Sequence, residues 1–167
     1  LIEAGSDINI PNKDGKTPLM AAIFTQNAQL VEAMLDSCEK HNRRIDYSYA
    51  IEGTQKNTLL SVVKEIKNPM PIIKRMVSQG ADINAVDAEG RNVLTALLFG
   101  SLYYARGKSW SNANDITVID LIRMPELDIN MKTHNGVSAL WLLCERADIM
   151  AIELMLYDRD AAVNTYY

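Results

Sequence analysis

Two histidines, two cysteines, a recurrent aspartate and a set of glycines are the residues with which this sequence could do chemistry. His41 and His134 stand far apart on different loops. A zinc site needs Cys or His in close pairs, and the sequence has none. Cys38 and Cys144 lie in apolar helical runs. With no His nearby, Cys144 reads as a small buried core residue, not a nucleophile. Asp7, Asp82 and Asp128 could suggest carboxylates for acid–base work. Each sits in the same local sequence, however, and that repetition indicates turn chemistry, in which Asp and Asn bond their own backbone. Gly80, Gly90 and Gly136 serve turns, and none opens a phosphate-binding loop followed by Lys and Ser or Thr. These residues imply no catalytic set, no metal and no cofactor, and the protein reads as a non-enzyme.

The element that positions these residues runs from Gly80 to Gly90: Gly-Ala-Asp-Ile-Asn-Ala-Val-Asp-Ala-Glu-Gly. Apolar runs flank it, Ile72 to Val77 before and Val93 to Leu98 after. Gly80 stands where a helix end favours a left-handed residue, and Gly90 where a tight turn needs the same freedom. The stretch therefore predicts a helix stop, an exposed turn and re-entry into a helix. Asp7-Ile8-Asn9 and Asp128-Ile129-Asn130 repeat it. Ile45-Asp46-Tyr47 and Ala162-Val163-Asn164 are worn copies. The leucines that follow each turn, Leu19, Leu59, Leu94 and Leu140, are spaced by 40, 35 and 46 residues. A unit repeating at this scale fixes the architecture before any local propensity does.

The first complete unit reads Asp14-Gly15-Lys16-Thr17-Pro18-Leu19-Met20-Ala21-Ala22. It resembles the ankyrin pattern Asp-Gly-x-Thr-Pro-Leu-His-x-Ala, whose period is about 33 residues, a β-turn plus two helices. The resemblance extends over nearly the whole sequence. It implies an all-α ankyrin-repeat solenoid of stacked helix–turn–helix units joined by hairpin-like turns. Met20 replaces the family His, so the usual His-mediated tie is absent or changed.

The expected organisation is one domain over 1–167. It comprises the end of a preceding repeat (1–10), a repeat at 11–48, a repeat at 49–85, a repeat with a long insertion at 86–130 and a repeat at 131–164. Leu1 opens mid-helix, which suggests a fragment of a longer array. Thr17 and Ser138 are expected caps, with Pro18 and Ala139 at the first helical position. Leu30, Val31, Met34 and Leu35 fall on one face of the first outer helix, spaced for burial. The second repeat's inner helix is expected at about 58–67 and, after the break at Asn68-Pro69, its outer helix at about 71–78. In the third repeat the inner helix continues through Tyr103 and Tyr104. A polar loop follows at 107–114, and Asn114 or Asp115 caps the outer helix. Asp148 to Tyr157 forms the last outer helix. Met34, Met76 and Met155 match as core fillers, whereas Met20 and Met131 sit where exposure is expected. Trp141 is expected to pack under a turn.

With 48% hydrophobic and 23% charged residues, the composition is that of an ordinary globular domain. The net charge of −4 lacks the basic face of a nucleic-acid binder. No apolar run approaches the ~18 residues of a membrane span. Two cysteines are too few for a secreted disulfide framework, so a cytoplasmic or other reducing intracellular compartment is expected.

In the ankyrin family, binding surfaces are usually variable positions on the turn tips and the concave helix face. By register the resemblance implies Lys13, Lys16, Glu89, Arg91 and His134 on the tips. On the inner helices it implies Phe24, Thr25, Lys64, Glu65, Phe99, Glu145 and Arg146. Tyr103, Tyr104 and Trp110 belong to the insertion at 101–114, which with the polar connection at 39–57 departs most from the pattern. An exposed aromatic such as Phe24 or Phe99 is a plausible interface anchor. The function this implies is a protein–protein interaction scaffold with no cofactor. The alternative is a recognition or architectural region of a larger enzyme, effector, channel or assembly.

Overall fold

Among the described residues, four side chains start four inner helices. The oxygens of Thr17, Asn57, Asn92 and Ser138 accept hydrogen bonds from Met20, Leu60, Thr95 and Trp141 N–H, at 3.3, 2.9, 3.0 and 3.2 Å. Each satisfies a backbone donor that the first helical turn leaves without a partner. The protein is described by a computed structural model over residues 7–51, 56–105 and 112–158. The expectations for Leu1–Gly5, Trp110 and Ala162–Asn164 lie outside the described residues.

The inner helices are α1 (Pro18–Phe24), α3 (Thr58–Glu65), α5 (Val93–Ala105) and α7 (Ala139–Arg146). Each is followed by an outer helix: α2 (Ala28–Lys40), α4 (Met70–Ser78), α6 (Asn112–Ile122) and α8 (Ile149–Glu153), the last continued by a π-helical turn, Leu154–Asp158. Each inner helix packs on its own outer helix and on the next inner helix, giving a row α1–α3–α5–α7 beside a row α2–α4–α6–α8. The core runs between the rows, through Leu19, Ile23, Leu35, Ile73, Met76, Leu94, Leu98, Leu121 and Met155. A short antiparallel pair, β1 (Ala50–Ile51) and β2 (Lys56–Asn57), precedes α3.

The turns repeat one geometry. Asp7, Asp46, Asp82 and Asp128 each accept the N–H two residues on (Asn9, Ser48, Asn84 and Asn130) at 2.9 Å. A tight hairpin follows in repeats one, three and four. Its residues Asn12, Asp87 and Thr133 bond through the backbone with Lys16, Arg91 and Val137 and with the tip glycine. Asparagines join successive turns. Asn9 donates Nδ2–H to the Arg44 carbonyl at 3.0 Å and accepts Asp46 N–H at 2.8 Å. Asn84 does the same to the Glu126 carbonyl at 2.8 Å and Asp128 N–H at 2.7 Å.

Several expectations are corrected. Met20 is fully buried, as are its equivalents Leu60 and Thr95; each belongs to an inner helix that the next one covers. Trp141, at the same position of α7, is 50% exposed, and Cys144 is exposed too. Among the described residues no inner helix follows α7, which packs on α5 and α8. Leu30 is 41% exposed because the buried stripe of α2 is Val31, Leu35 and Cys38, and Leu30 lies beside it. α3 stops at Glu65 because Ile66 is already extended. Asn114 and Asp115 lie inside α6, which begins at Asn112, where an early aspartate suits the positive end of the helix.

Candidate functional site

Asp87 anchors the turn tip of the third repeat. Its carboxylate is 1% exposed and accepts Glu89 N–H at 3.1 Å, Arg91 N–H at 2.9 Å and Arg91 Nε–H at 2.8 Å. Burial alone would push this carboxyl up. The hydrogen bonds and charge of Arg91, with the Glu89 amide, outweigh it and hold the carboxyl below the usual range. Arg91 also reaches Glu89 Oε2 at 2.6 Å and lies 5.8 Å from the Phe99 ring centroid on α5. His134, on the next tip, donates its backbone N–H to the Glu89 carbonyl at 3.0 Å. Gly90, at φ +74°, leaves room for it: a Cβ there would stand 2.6 Å from His134 Cδ2.

The first repeat has the same device. Lys16 Nζ lies 5.0 Å from the Phe24 ring centroid. A cation over an aromatic face at an exposed site contributes about 0.5–1 kcal/mol. In both repeats it ties a tip to its inner helix. Both phenylalanines are half-buried under their own tip cations, and are not bare anchors.

The other candidates divide by place. Lys13, Thr25, Lys64, Glu89, His134 and Glu145 are exposed, and Glu65 and Arg146 half-buried. Glu65 Oε2 accepts from Gln26 at 3.2 Å, joining the ends of α3 and α1. Arg146 lies 3.8 Å from Asp148 Oδ2. Tyr103 and Tyr104 lie on the last turns of α5; their side chains, like Trp110, lie outside the described residues. Among the described residues no group of three or more His, Cys, Asp or Glu could hold a metal ion, and no helix is long and apolar enough to cross a membrane.

Residue-by-residue reading missed one feature. Between the second and third turns lies a cleft of about 720 Å³, lined by Arg44–Ser48 on one side and Gln79–Asp82 on the other, with Asn57 and Leu59 among its remaining walls. Here Ser48 stands where Asn9 and Asn84 stand in their turns, and its hydroxyl turns back onto Asp46 at 2.6 Å. The joint therefore has no asparagine rung. Tyr47, where the other turns have Ile8, Ile83 and Ile129, donates its hydroxyl to Gln79 across the gap. Burial, with the charges around it, pushes that hydroxyl up to about 12. A signal for the cleft does exist in the sequence: the Asp46 turn is a worn copy, and Ser48 and Tyr47 are two of its altered residues.

No family model matches the sequence. Among solved structures, the crystal structure of EF0377, an ankyrin repeat protein, matches with a TM-score of 0.71 over 93% of this protein and 71% of that one. The fold is an ankyrin-repeat array. Sequence identity to EF0377 is 17%, so the likeness shows the fold alone. In this array the Met20 position keeps the cap through Met20 N–H and fills the core instead of presenting an imidazole.

Proposed function

We propose that this array is a protein–protein interaction scaffold that presents its inner helices and turn tips as one rigid surface to a protein partner. The observation that carries the reading is the repeated tip lock, Lys16 over Phe24 and Arg91 over Phe99. It fixes tips to helices in two repeats and leaves Lys64, Glu89, His134 and Glu145 exposed. A surface held in place before binding loses less entropy when it binds. Exposed charges of both signs suit a partner of mixed charge, and the net charge of −4 argues against nucleic acid. Two unpaired thiols support a reducing intracellular compartment.

The test is affinity capture with cross-linking, comparing the native protein with the double variant Lys64→Glu, Glu145→Lys. A partner that the native protein captures, and that is lost at least tenfold from the variant with its helical circular dichroism unchanged, is the expected result. Capture of no protein, or equal capture by both, would overturn the reading.

A further inference from the structure

The joint between the second and third turns lacks a rung that its two neighbours have, and what is missing has a definite chemical shape. In each neighbouring joint one carboxamide makes two bonds: it donates to a backbone carbonyl and accepts the N–H two residues later. The equivalent pair here is the Gly80 carbonyl and Asp82 N–H. Both residues line the cleft, and among the described residues no side chain takes either group.

A second, independent observation points into the same space. Asn57 lines the cleft and is 5% exposed. Its oxygen caps α3, while its Nδ2 is buried without an acceptor. The equivalent Asn92 Nδ2 donates to a backbone carbonyl of the next turn, that of Asp128, at 3.3 Å. Buried donors are nearly always paired, so an orphan calls for an explanation. The cleft's volume also falls within the usual range for ligand sites.

We propose that this cleft binds an extended peptide segment through an asparagine side chain. The carboxamide takes the vacant rung, donating to the Gly80 carbonyl and accepting from Asp82 N–H. A backbone carbonyl of the same segment accepts from Asn57 Nδ2, as the Asp128 carbonyl does from Asn92. Leu59 and Val86, which also line the cleft, take a neighbouring apolar side chain. An aspartate is the wrong ligand: an ionised carboxylate cannot donate to the Gly80 carbonyl. The site rests on the scaffold reading, and adds a position and a chemistry to it.

The experiment titrates the protein of 167 residues with N-acetyl-asparagine N-methylamide, followed by ¹⁵N–¹H NMR, with the aspartate analogue as control. Saturable shifts of the Asp82 amide and the Asn57 carboxamide are expected, at least tenfold weaker with the aspartate analogue. Ser48→Asn supplies the rung from within and should weaken binding at least tenfold. Asn57→Ser keeps a capping oxygen but removes the donor, and should weaken binding comparably if Ser48→Asn does not fold. No saturable shift at these groups, or an undiminished titration in the folded variants, overturns the site. A protein captured through Lys64 and Glu145 with no response to the amide would sink the site and leave the scaffold standing. A titrating amide with no protein captured would do the reverse.

Discussion

Arg91 holds three groups at once: a buried carboxylate, an exposed one and the face of Phe99. Its type and place on a turn tip are evident in the sequence, and they make it a candidate partner contact. What faces it is not evident there, because Phe99 becomes its neighbour only when α5 folds back under the tip. Asp87 is the residue that this arrangement most depends on. Its folded-state carboxyl is held below the ordinary value. The stability it contributes is therefore fully present above the unfolded carboxylate value of ~3.9, and is lost as pH falls through the lower folded value. Asp87→Asn should lower stability at pH 7 by about 1–3 kcal/mol, because an amide nitrogen then opposes the guanidinium and a charge-assisted bond is gone. Urea midpoints at pH 7 and in the acid range check this: the gap between native and variant should narrow on acidification. A gap independent of pH would mean that the ionised carboxylate contributes nothing.

The turns and helices are legible in the sequence to different depths. A bond from Asp82 to the amide two residues on is local, so Asp-Ile-Asn announces it wherever it occurs. The caps Thr17 and Ser138 are legible for the same reason. The asparagine rungs are not. Asn84 reaches residues 42 and 44 positions away, and only the stacking of one repeat on the next makes that contact. Helix ends set by neighbouring residues, such as that of α3, shift by one or two positions. Burial on α7, the last inner helix among the described residues, at Trp141 and Cys144, cannot be read from a pattern common to all repeats. The rung can be tested by moving the defect. Asn84→Ser copies Ser48 into the next joint and removes two hydrogen bonds from one side chain. It should destabilise the array by about 1–2 kcal/mol, read from the urea midpoint, and the amide of Asp128 should lose protection from hydrogen exchange. Unchanged exchange at Asp128 would show that the rung does not hold the turns together.

An array in which each repeat touches only its neighbours has a stability close to a sum of repeat and interface contributions, so a weak joint limits how far one half supports the other. The joint at the cleft keeps its helix packing and is tied by Arg75, which reaches Asp36 at 2.5 Å and Glu39 at 2.6 Å, but its turns have no rung. The two cysteines report on either side of it. Cys38, on α2, is 1% exposed, and burial pushes its thiol up. Cys144, on α7, is exposed. An aromatic disulfide reagent should therefore modify one thiol promptly in the native protein. The second should react only at the rate set by opening of the first repeat. Ser48→Asn joins that repeat to the second by one more rung. A gain of about 1 kcal/mol in coupling would slow Cys38 modification roughly fivefold and leave the prompt reaction of Cys144 unchanged. Two prompt thiols would mean that α2 opens without reference to its neighbours. A Cys38 rate untouched by Ser48→Asn in a folded variant would mean that the helix rows alone carry the coupling and the turns do not.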